Sequence, residues 1–333
     1  MKFRKLGKNG PEISALGVGA MSFANFYGPT TDEDSQKILA AAAEAGVSHI
    51  DTANVYGMGR SEDQIGVYLK ANAGSRDRFH IATKASITRD EDGNRCFRNT
   101  FAHLESELDK SLARLGTECV DLFYVHRRQA DLPIEEVAGN LKRLIDAGKT
   151  KAIGFSEIAP ASLRRAAREC HVDAVQSEYS LSVRSPELGL VQTCAELGTA
   201  LVAFSPVGRS FLTDTPLRSE TVAEIGGWVA GNPRFNEPNY SANIAATDPF
   251  RAYAEELGVS AAALAIGWVL AQGEHIIAIP GTRSTAHFAQ LVEGWTLDLS
   301  ADQLAQIESI LPVGWAHGDR YSEDQWVGPE RYC

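Results

Sequence analysis

One local pattern recurs along most of the chain and limits the folds it can adopt. A helix-like segment ends in a small residue or glycine, a short apolar run follows, and that run finishes on a polar residue. Alanine-rich "KILAAAAEAG" runs into "VSHID", "NLKRLIDAG" into "KAIGFS", and "AAALAIGWVLAQG" precedes "IIAIPG". The apolar runs are nearly continuous rather than alternating, which is typical of parallel strands covered on both faces. The pattern therefore predicts repeated strand-and-helix units around a parallel sheet.

The number of these units predicts an α/β fold of the (β/α)8, or TIM-barrel, type. The predicted strands lie at 16–20, 48–51, 79–83, 120–125, 151–155, 173–176, 200–204 and 276–279. Eight such units in a chain of 333 residues match that barrel. The segment "KFRKLGKNGPEISAL" predicts an N-terminal β-hairpin that closes the barrel bottom. The pattern breaks at 206–247, predicted as a long loop, and after 312, where a C-terminal tail to 333 is expected. No linker divides the chain, so we expect one domain over 1–333.

The ends of several helices carry their own sequence signals. Glycine after a helix supplies a left-handed position, which is predicted for Gly46, Gly116, Gly148, Gly198 and Gly273. The segment 31–34 resembles a capping box, and Ser300 or Thr282 is suited to cap a later helix.

A doubly wound dinucleotide-binding fold is the structural alternative. It predicts GxGxxG after the first strand, with an acidic residue roughly 20 positions further on. Here Gly17 and Gly19 are followed by Ala-Met-Ser, so the third glycine is absent. The barrel is therefore preferred.

Composition excludes several classes of partner. The chain has 32 basic and 43 acidic residues, a net charge of −11, which disfavours nucleic acid and anionic membrane surfaces as partners. No apolar run of about 18 residues could span a bilayer, and "MKFRKLGKNG" lacks the apolar region of a signal peptide. The five cysteines are never spaced as CxxC, so we expect neither a disulfide framework nor a zinc site, and a cytoplasmic location.

Four chemically active residue types follow consecutive predicted strands. Asp51 and Tyr56 follow the second strand, Lys84 the third and His126 the fourth. In a barrel these strand ends meet at one mouth. Each residue alone has a structural explanation, as a turn former, a packed aromatic, a solvated lysine or a core histidine. Because all four follow the carboxyl ends of consecutive predicted strands, a catalytic role is the better interpretation.

The combination suits proton transfer to a carbonyl oxygen. A free phenol has a pKa of about 10 and a lysine of about 10.4, so neither exchanges protons readily at neutral pH. An ammonium group beside the phenol stabilises phenolate, and an aspartate keeps the lysine charged and aimed. A neutral histidine can hold the carbonyl oxygen. Together they would donate a proton to an oxygen that becomes alkoxide as hydride reaches carbon.

These residues also lie in segments that resemble a known family. In order, "HIDTANVYGMGRSEDQIG", "IATK", "DLFYVHR", "GKTKAIGFSE", "AVQSEYSL", "VAFSPVGRSFLTD" and "IPGTRS" resemble the aldo-keto reductases over essentially the whole chain. "GFSE", "QSEYSL" and "GRSFLT" are most similar to the branch of perakine-reductase-like and pyridoxal-reductase-like enzymes. The resemblance implies metal-free, NADPH-dependent reduction of an aldehyde or ketone, or the reverse oxidation of an alcohol. It implies Tyr56 as general acid, Lys84 and Asp51 as its tuning pair, and His126 as the residue that orients the substrate.

The same resemblance implies a set of cofactor contacts at the strand ends. They are Gly19, Ala20, Met21, Asp51, Ser156, Glu157, Gln176, Phe204, Ser205, Val207, Gly208, Arg209, Gly281, Thr282, Arg283, His287 and Gln290. Ser156, Glu157 and Gln176 are expected at the nicotinamide carboxamide, while the ring of Phe204 would stack on the nicotinamide. The 205–209 segment would run along the pyrophosphate.

A second group would hold the adenosine phosphate. Residues 281–283 open a helix, whose N-terminal amides favour an anion. Arg283 and His287 are four apart, so both can lie on one face beside a 2′-phosphate. The family usually has arginine at the His287 position, then Glu and Asn where Gln290 and Leu291 stand. NADPH is the cofactor that the resemblance implies, and these three departures keep NADH as the alternative.

Two other functions are weighed against carbonyl reduction. One is a nicotinamide-nucleotide-sensing subunit with little turnover. The other, a metal-dependent hydrolase, would need an HxH pair or a carboxylate and histidine cluster at strand ends, where His126 is the only histidine.

The expected partner is a small-molecule carbonyl or alcohol, while no motif indicates its identity or the oligomeric state. Its pocket is expected from Phe23, Phe26, Tyr27, the loop 85–98, Arg127, Arg128, the segment 206–247, Trp315 and Trp326.

Overall fold

In a computed structural model, which describes residues 1–332, eight parallel strands form one sheet in the order β12-β11-β10-β9-β8-β5-β4-β3. The strands in chain order are β1 (Phe3–Lys5), β2 (Glu12–Ser14), β3 (Val18–Gly19), β4 (His49–Asp51), β5 (His80–Ala85), β6 (Ile87–Arg89), β7 (Arg95–Phe97), β8 (Leu122–Val125), β9 (Ile153–Ser156), β10 (Ala174–Glu178), β11 (Ala200–Phe204) and β12 (Ile276–Ile279). β1 with β2 and β6 with β7 form two separate antiparallel hairpins.

The sheet closes on itself through the segment that leads into β3. Leu16 forms a parallel bridge with Ala278 of β12. The amide of Gly17 donates to the Ala278 carbonyl at 2.8 Å, and that of Gly19 donates to the Pro280 carbonyl at 2.9 Å. These bonds join the first and last strands, which confirms the predicted (β/α)8 barrel.

Thirteen α-helices are assigned in the described residues. They are α1 (Asp32–Ala45), α2 (Arg60–Ala71), α3 (Ser75–Arg78), α4 (Phe101–Leu115), α5 (Ile134–Asp146), α6 (Pro160–Glu169), α7 (Leu190–Leu197), α8 (Ser219–Ile225), α9 (Gly227–Ala230), α10 (Asn239–Glu256), α11 (Ala261–Ala271), α12 (Thr285–Thr296) and α13 (Ala301–Ile310). At least one helix follows each barrel strand, so the apolar runs of the sheet are covered from outside.

The N-terminal hairpin contributes to the core inside the barrel, as the sequence predicts. Leu6 and Ile13 are fully buried and pack in one cluster with Ala82, Leu122 and Tyr124 of the barrel strands. Side chains therefore fill the interior of the barrel at the end where the hairpin lies. The opposite end, where the carboxyl ends of the strands meet, is available for a functional site.

Most of the predicted helix ends are present. Thr31 and Asp34 form the capping box of α1, and Ser300 with Gln303 forms that of α13. α12 is capped by Ser284 rather than Thr282. The prediction of a left-handed Gly273 is wrong, because α11 ends at Ala271, its C-cap residue Gln272 has right-handed backbone, and Gly273 has no positive φ.

The long segment after β11 and the tail both fold against the barrel mouth. Within 206–247 the chain forms α8, α9 and the start of α10, which surround an aromatic cluster that includes Phe211, Trp228 and Phe235. Among residues 1–332, no single helix is long and apolar enough to cross a membrane. Only α10 and α11 taken together have the length and composition for it, and this pair is bent by 92°.

Candidate active site

Residues 51–60 form the turn that follows β4 and carries Tyr56. Its backbone first follows β5, because the amide of Thr52 donates to the Ala82 carbonyl at 2.9 Å and that of Asn54 donates to the Lys84 carbonyl at 3.1 Å. Gly57 and Gly59 then adopt φ of 62° and 100°, a region that side chains disfavour. This reversal starts α2 and leaves the preceding tyrosine at the barrel mouth.

Lys84 lies at the centre of the four strand-end residues. Its ammonium group contacts the Asp51 carboxylate, donates to the Thr52 carbonyl at 2.8 Å, and lies 3.4 Å from the Tyr56 hydroxyl oxygen. The second Asp51 oxygen accepts from Gln176 Nε2 at 2.7 Å. Because Asp51 and Lys84 are buried, their charges are little screened by water.

Burial makes the phenol of Tyr56 less acidic than the sequence alone suggests. Burial raises the pKa of Tyr56, Lys84 opposes this rise, and the net shift is upward. For Lys84, burial acts to lower the pKa, but Asp51 and Tyr56 outweigh it and the net shift is upward. The expectation that Lys84 stabilises phenolate is right in sign, yet Tyr56 stays a phenol at neutral pH. A protonated tyrosine suits a proton donor.

His126 completes the group from the end of β8. Its ring meets that of Tyr56 edge-on, with centroids 5.8 Å apart. Nδ1 is buried and has no hydrogen-bond partner among residues 1–332. Burial is the largest cause that lowers the pKa of His126 well below its usual range, and repulsion from Arg127, Lys84 and Arg95 lowers it further. The imidazole is therefore neutral at physiological pH. Its Nε2, which is neither hydrogen-bonded within residues 1–332 nor buried, is the ring nitrogen left for a ligand at the cavity wall.

These residues line one end of a long cavity of about 650 Å³. Its wall includes most of the predicted cofactor contacts: Gly19, Met21, Asp51, Ser156, Gln176, Phe204, Ser205, Val207, Arg209, Gly281, Thr282, Arg283, His287 and Gln290. Lys84 is not on the wall, because it lies buried behind Tyr56 and acts only through its neighbours.

Three of the predicted contacts do not line the cavity. Ala20 is fully buried, and Gly208 is buried at a φ of 59° where an added Cβ would meet Leu212 and Ser182 at 3.1 Å. Gly208 thus serves close backbone packing. Glu157 has a φ of 58°, and its carboxylate accepts from the Glu178 amide, Ser177 and Arg320. Every carboxylate contact is on the protein, so the expected bond to a carboxamide is not supported.

Three other predicted contacts line the cavity but are engaged by protein partners. Gln176 donates to Asp51, and Ser156 Oγ accepts from Arg127 at 3.0 Å. Arg209 forms two bonds with Glu178, at 2.9 and 2.7 Å, while its Nη1 is buried without a partner. The charge of Arg209 is therefore already paired with Glu178 and is not free for a ligand.

The opposite end of the cavity is suited to phosphate. α12 begins there, capped by Ser284, and its first amides point out of the helix. Arg283 donates to the Pro29 carbonyl at 2.6 Å, His287 is exposed, and Gln290 donates to Asp214 at 2.8 Å. The partly exposed ring of Phe204 lies between the two ends. An aromatic face, an orphaned imidazole nitrogen and an anion-binding helix end fit a nicotinamide dinucleotide.

The substrate-pocket expectations need several corrections. Phe26 and Tyr27 line the cavity, but Phe23 is fully buried in the core. Trp315 donates to the Leu181 carbonyl and Trp326 to Asp319, so neither reaches the wall.

Other residues replace them on the wall. Arg128 pairs with Glu330 and is not part of the lining. Arg127 lines the wall as expected, together with Arg95, Trp228 and Tyr321. Arg95 and Trp228 lie in segments expected at the pocket, and Tyr321 lies in the tail between Trp315 and Trp326, but only the fold identifies these three individually.

In the part of the chain from 1 to 332, no group of three or more His, Cys, Asp or Glu residues is placed to hold a metal ion.

Comparison with known proteins agrees with this architecture. A model of the aldo/keto reductase family matches residues 15–312. Aldo-keto reductase yakc of Schizosaccharomyces pombe, whose name includes NADP(+), is 34% identical over 322 residues, 96% of this chain and 94% of that protein. A probable aldo-keto reductase 1 of Glycine max is 34% identical over 324 residues, 95% of this chain and 91% of that protein. The solved structure of a glycerol dehydrogenase from Gluconobacter oxydans matches with a TM-score of 0.80 at 27% identity, covering 93% of this chain and 94% of that one.

Proposed function

The chain belongs to the aldo/keto reductase family, and from that premise we propose that it reduces the carbonyl group of an aldehyde or ketone with NADPH. Tyr56 donates the proton, Lys84 and Asp51 set its environment, and His126 orients the substrate. NADPH, when bound, supplies the hydride. The name of the yeast relative, which includes NADP(+), supports this cofactor over NADH.

The contact between Lys84 and both Asp51 and Tyr56 carries the proposal. As negative charge develops on a carbonyl oxygen beside Tyr56, the phenol can donate its proton and the adjacent ammonium stabilises the phenolate that remains. Asp51 keeps Lys84 charged through burial that would otherwise neutralise it. The phenol begins protonated, which favours reduction over oxidation at neutral pH.

His126 supports this step by geometry rather than charge. Its neutral imidazole lies edge-on to Tyr56 and can hydrogen-bond to the carbonyl oxygen, which fixes the oxygen near the phenol. A charged imidazole would compete with Tyr56 as the acid. The neighbouring cations that lower its pKa therefore help to assign the proton donor.

Replacement of the one hydroxyl group tests the proposal. Tyr56→Phe should lower kcat for aldehyde reduction at least ~100-fold while NADPH binding is retained. The readouts are absorbance of the reduced nicotinamide under steady-state conditions and cofactor fluorescence titration. Tyr68→Phe, which removes a hydroxyl from a buried tyrosine on α2 outside the cavity wall, is the matched control and should keep wild-type kinetics.

Two outcomes would contradict the proposal in different ways. Near wild-type reduction by Tyr56→Phe would remove Tyr56 from the role of general acid. Tight NADPH binding by the wild-type protein with no turnover of any aldehyde or ketone would instead indicate a nucleotide-sensing protein.

A further inference from the structure

Two arginines lie beside the reacting end of the cavity without a carboxylate partner. Arg127 directly follows His126, and Arg95 lies on the β6–β7 hairpin. Both line the cavity, and the positive charge of each lowers the pKa of His126. Neither forms an ion pair with any carboxylate of residues 1–332, whereas Arg128, Arg209 and Arg320 nearby all do.

The bonds of each guanidinium leave donors free for a ligand. Arg127 Nη1 donates to the His126 carbonyl at 2.7 Å and to Ser156 Oγ at 3.0 Å, which fixes the group in place. Its Nη2 forms no hydrogen bond within the described residues and is not a buried atom, so it is the donor available to a ligand, whereas Nε is buried without a partner. Arg95 Nη2 donates to the Val327 carbonyl at 2.9 Å. The acceptors of these bonds are uncharged carbonyl and hydroxyl oxygens. They fix the two guanidinium groups in position but do not neutralise their positive charges.

The neighbouring carboxylates are already engaged. Glu157 is paired with Arg320, Glu178 with Arg209, and Glu330 with Arg128. Asp51 is the only acidic residue among those that line the cavity within 1–332, and Lys84 neutralises it. The reacting end of the cavity therefore has a net positive charge.

The two side chains also approach the same stretch of the tail, because Arg95 donates to the Val327 carbonyl and a Cβ added at the next residue, Gly328, would lie 3.2 Å from Arg127 Cδ. Their like charges therefore repel each other. Partial burial lowers the pKa of Arg95, and the charge of Arg127 lowers it further. Two like charges held together in a partly buried site cost free energy unless an anion joins them. The cofactor phosphates have their own site at Arg283 and the start of α12, at the far end of the cavity. The anion that fits Arg95 and Arg127 therefore belongs to the substrate.

We propose that Arg95 and Arg127 form an anion subsite, and that the substrate is an aldehyde or ketone carrying a carboxylate or a phosphate monoester. This inference rests on the proposed reductase function. Arginine suits the role because its planar fork of N–H donors matches the oxygens of both groups. Binding of the anion would place the carbonyl between Tyr56 and His126.

Matched aldehydes test the subsite. 4-Carboxybenzaldehyde and 4-formylphenyl phosphate carry the anion, and 4-formylbenzamide is the neutral analogue of similar size. We expect the wild-type enzyme to give a kcat/KM at least about 10-fold higher for one of the anionic aldehydes than for the amide. Preference for the carboxylate or for the phosphate identifies the anionic group. Equal kcat/KM values for all three would overturn the subsite and leave the reductase function intact.

Single substitutions assign the preference to these arginines. Arg95→Gln and Arg127→Gln should each reduce the ratio of anionic to neutral kcat/KM by about 10-fold, and the ratio cancels any general loss of activity. Arg89→Gln is the matched control, because Arg89 pairs with Arg95 across the same hairpin but does not line the cavity. Its ratio should remain that of the wild type. A preference that survives in both test variants would contradict the assignment.

An equilibrium measurement separates this inference from the reductase function. Terephthalate and terephthalamide are titrated into the NADP-loaded protein by calorimetry. Tighter binding of terephthalate to the wild type, weakened in Arg95→Gln and Arg127→Gln but not in Arg89→Gln, supports the subsite even if no aldehyde is turned over. Equal affinity for the two compounds would overturn it.

Discussion

Tyr56 and Lys84 illustrate how burial and a neighbouring charge act against each other on one proton. Burial raises the pKa of Tyr56 above its usual value of about 10, and Lys84 limits that rise. A general acid is active while protonated, so its contribution is lost only as pH rises through its pKa. The pKa of His126 lies well below its usual range, so it does not titrate in the neutral region. We therefore expect kcat for reduction to be flat between about pH 6 and 9, and a decline centred near about pH 8 would contradict this.

The same pair predicts how Lys84 contributes. Lys84→Met removes the cation, so turnover should fall at least ~100-fold, and the buried Asp51 charge left behind should cost about 3–5 kcal/mol of stability. Asp51→Asn combined with Lys84→Met removes that charge, so we expect stability in urea unfolding to recover in part while turnover does not. Recovery of turnover in the double variant would mean that Lys84 acts only as a counter-ion.

We expect Arg283 to discriminate between the two nicotinamide cofactors. Arg283→Ala should weaken NADPH binding by roughly 10- to 150-fold, as expected for loss of a charge-assisted hydrogen bond to the 2′-phosphate. NADH lacks that phosphate, so its Kd should change little. Fluorescence titration of both cofactors measures the difference. Because Arg283 also bonds to the Pro29 carbonyl, equal losses for both cofactors would assign it to holding the 25–30 loop.

For two glycines in helices, Gly66 and Gly139, substitution by alanine is expected to change the stability of the fold in opposite directions. An added Cβ at Gly66 of α2 would lie 2.1 Å from the Arg114 carbonyl oxygen of α4, so Gly66→Ala must force the two helices apart. At Gly139 of α5 the nearest atom is 3.9 Å away. We expect Gly66→Ala to destabilise by about 1–3 kcal/mol and Gly139→Ala to stabilise by about 0.5–1 kcal/mol. Thermal or urea unfolding checks both, and the same sign for both would contradict the packing argument.

The barrel could be predicted from sequence because each strand is a continuous apolar run that ends on a polar residue. Asp51, Lys84 and His126 follow such runs directly, so their meeting at one mouth follows from topology alone. The pairing of Glu157 with Arg320 joins residues 163 positions apart. No local pattern encodes it, which is why Glu157 was assigned to the cofactor. Arg95 was missed as an individual residue for the same reason, since only the fold brings the β6–β7 hairpin beside His126.

At the scale of the whole molecule, the tail is joined to the barrel by buried charges. Arg320 contacts Glu157 and lies 3.3 Å from Glu178, which also pairs with Arg209. The side chains of all four are at most 8% exposed. Aromatic rings cover the two guanidinium groups, with Arg320 4.7 Å from the Trp326 centroid. We infer that the tail and the barrel unfold as one unit, and hence that the described chain behaves as a single domain.

The stability that the Glu157–Arg320 ion pair contributes depends on pH, because Glu157 must be ionised to pair with Arg320. Burial alone would raise its pKa, but Arg320 and the nearby hydrogen bonds outweigh burial, and the net shift is downward. A carboxylate with a depressed pKa contributes stability above its unfolded pKa of about 4.3, and that contribution is lost as pH falls through the folded value. In Arg320→Met we expect burial to outweigh the remaining contacts of Glu157, so that its folded pKa lies above the unfolded one and the ionised group destabilises the fold instead.

The pairing of Arg320 with Glu157 therefore predicts a stability difference that depends on pH. Arg320→Met should cost about 3–5 kcal/mol near about pH 7, and its deficit relative to the wild type should narrow as pH falls toward about 4. Arg331→Met is the matched control, because Arg331 is an exposed tail arginine 5.0 Å from the same Trp326 ring and forms no ion pair with another residue of 1–332. Urea unfolding at several pH values measures both variants, and Arg331→Met should lose less than about 1 kcal/mol at every pH. An Arg320→Met deficit that stays constant with pH would assign the loss to packing of the guanidinium on the aromatic rings rather than to the unpaired Glu157 charge.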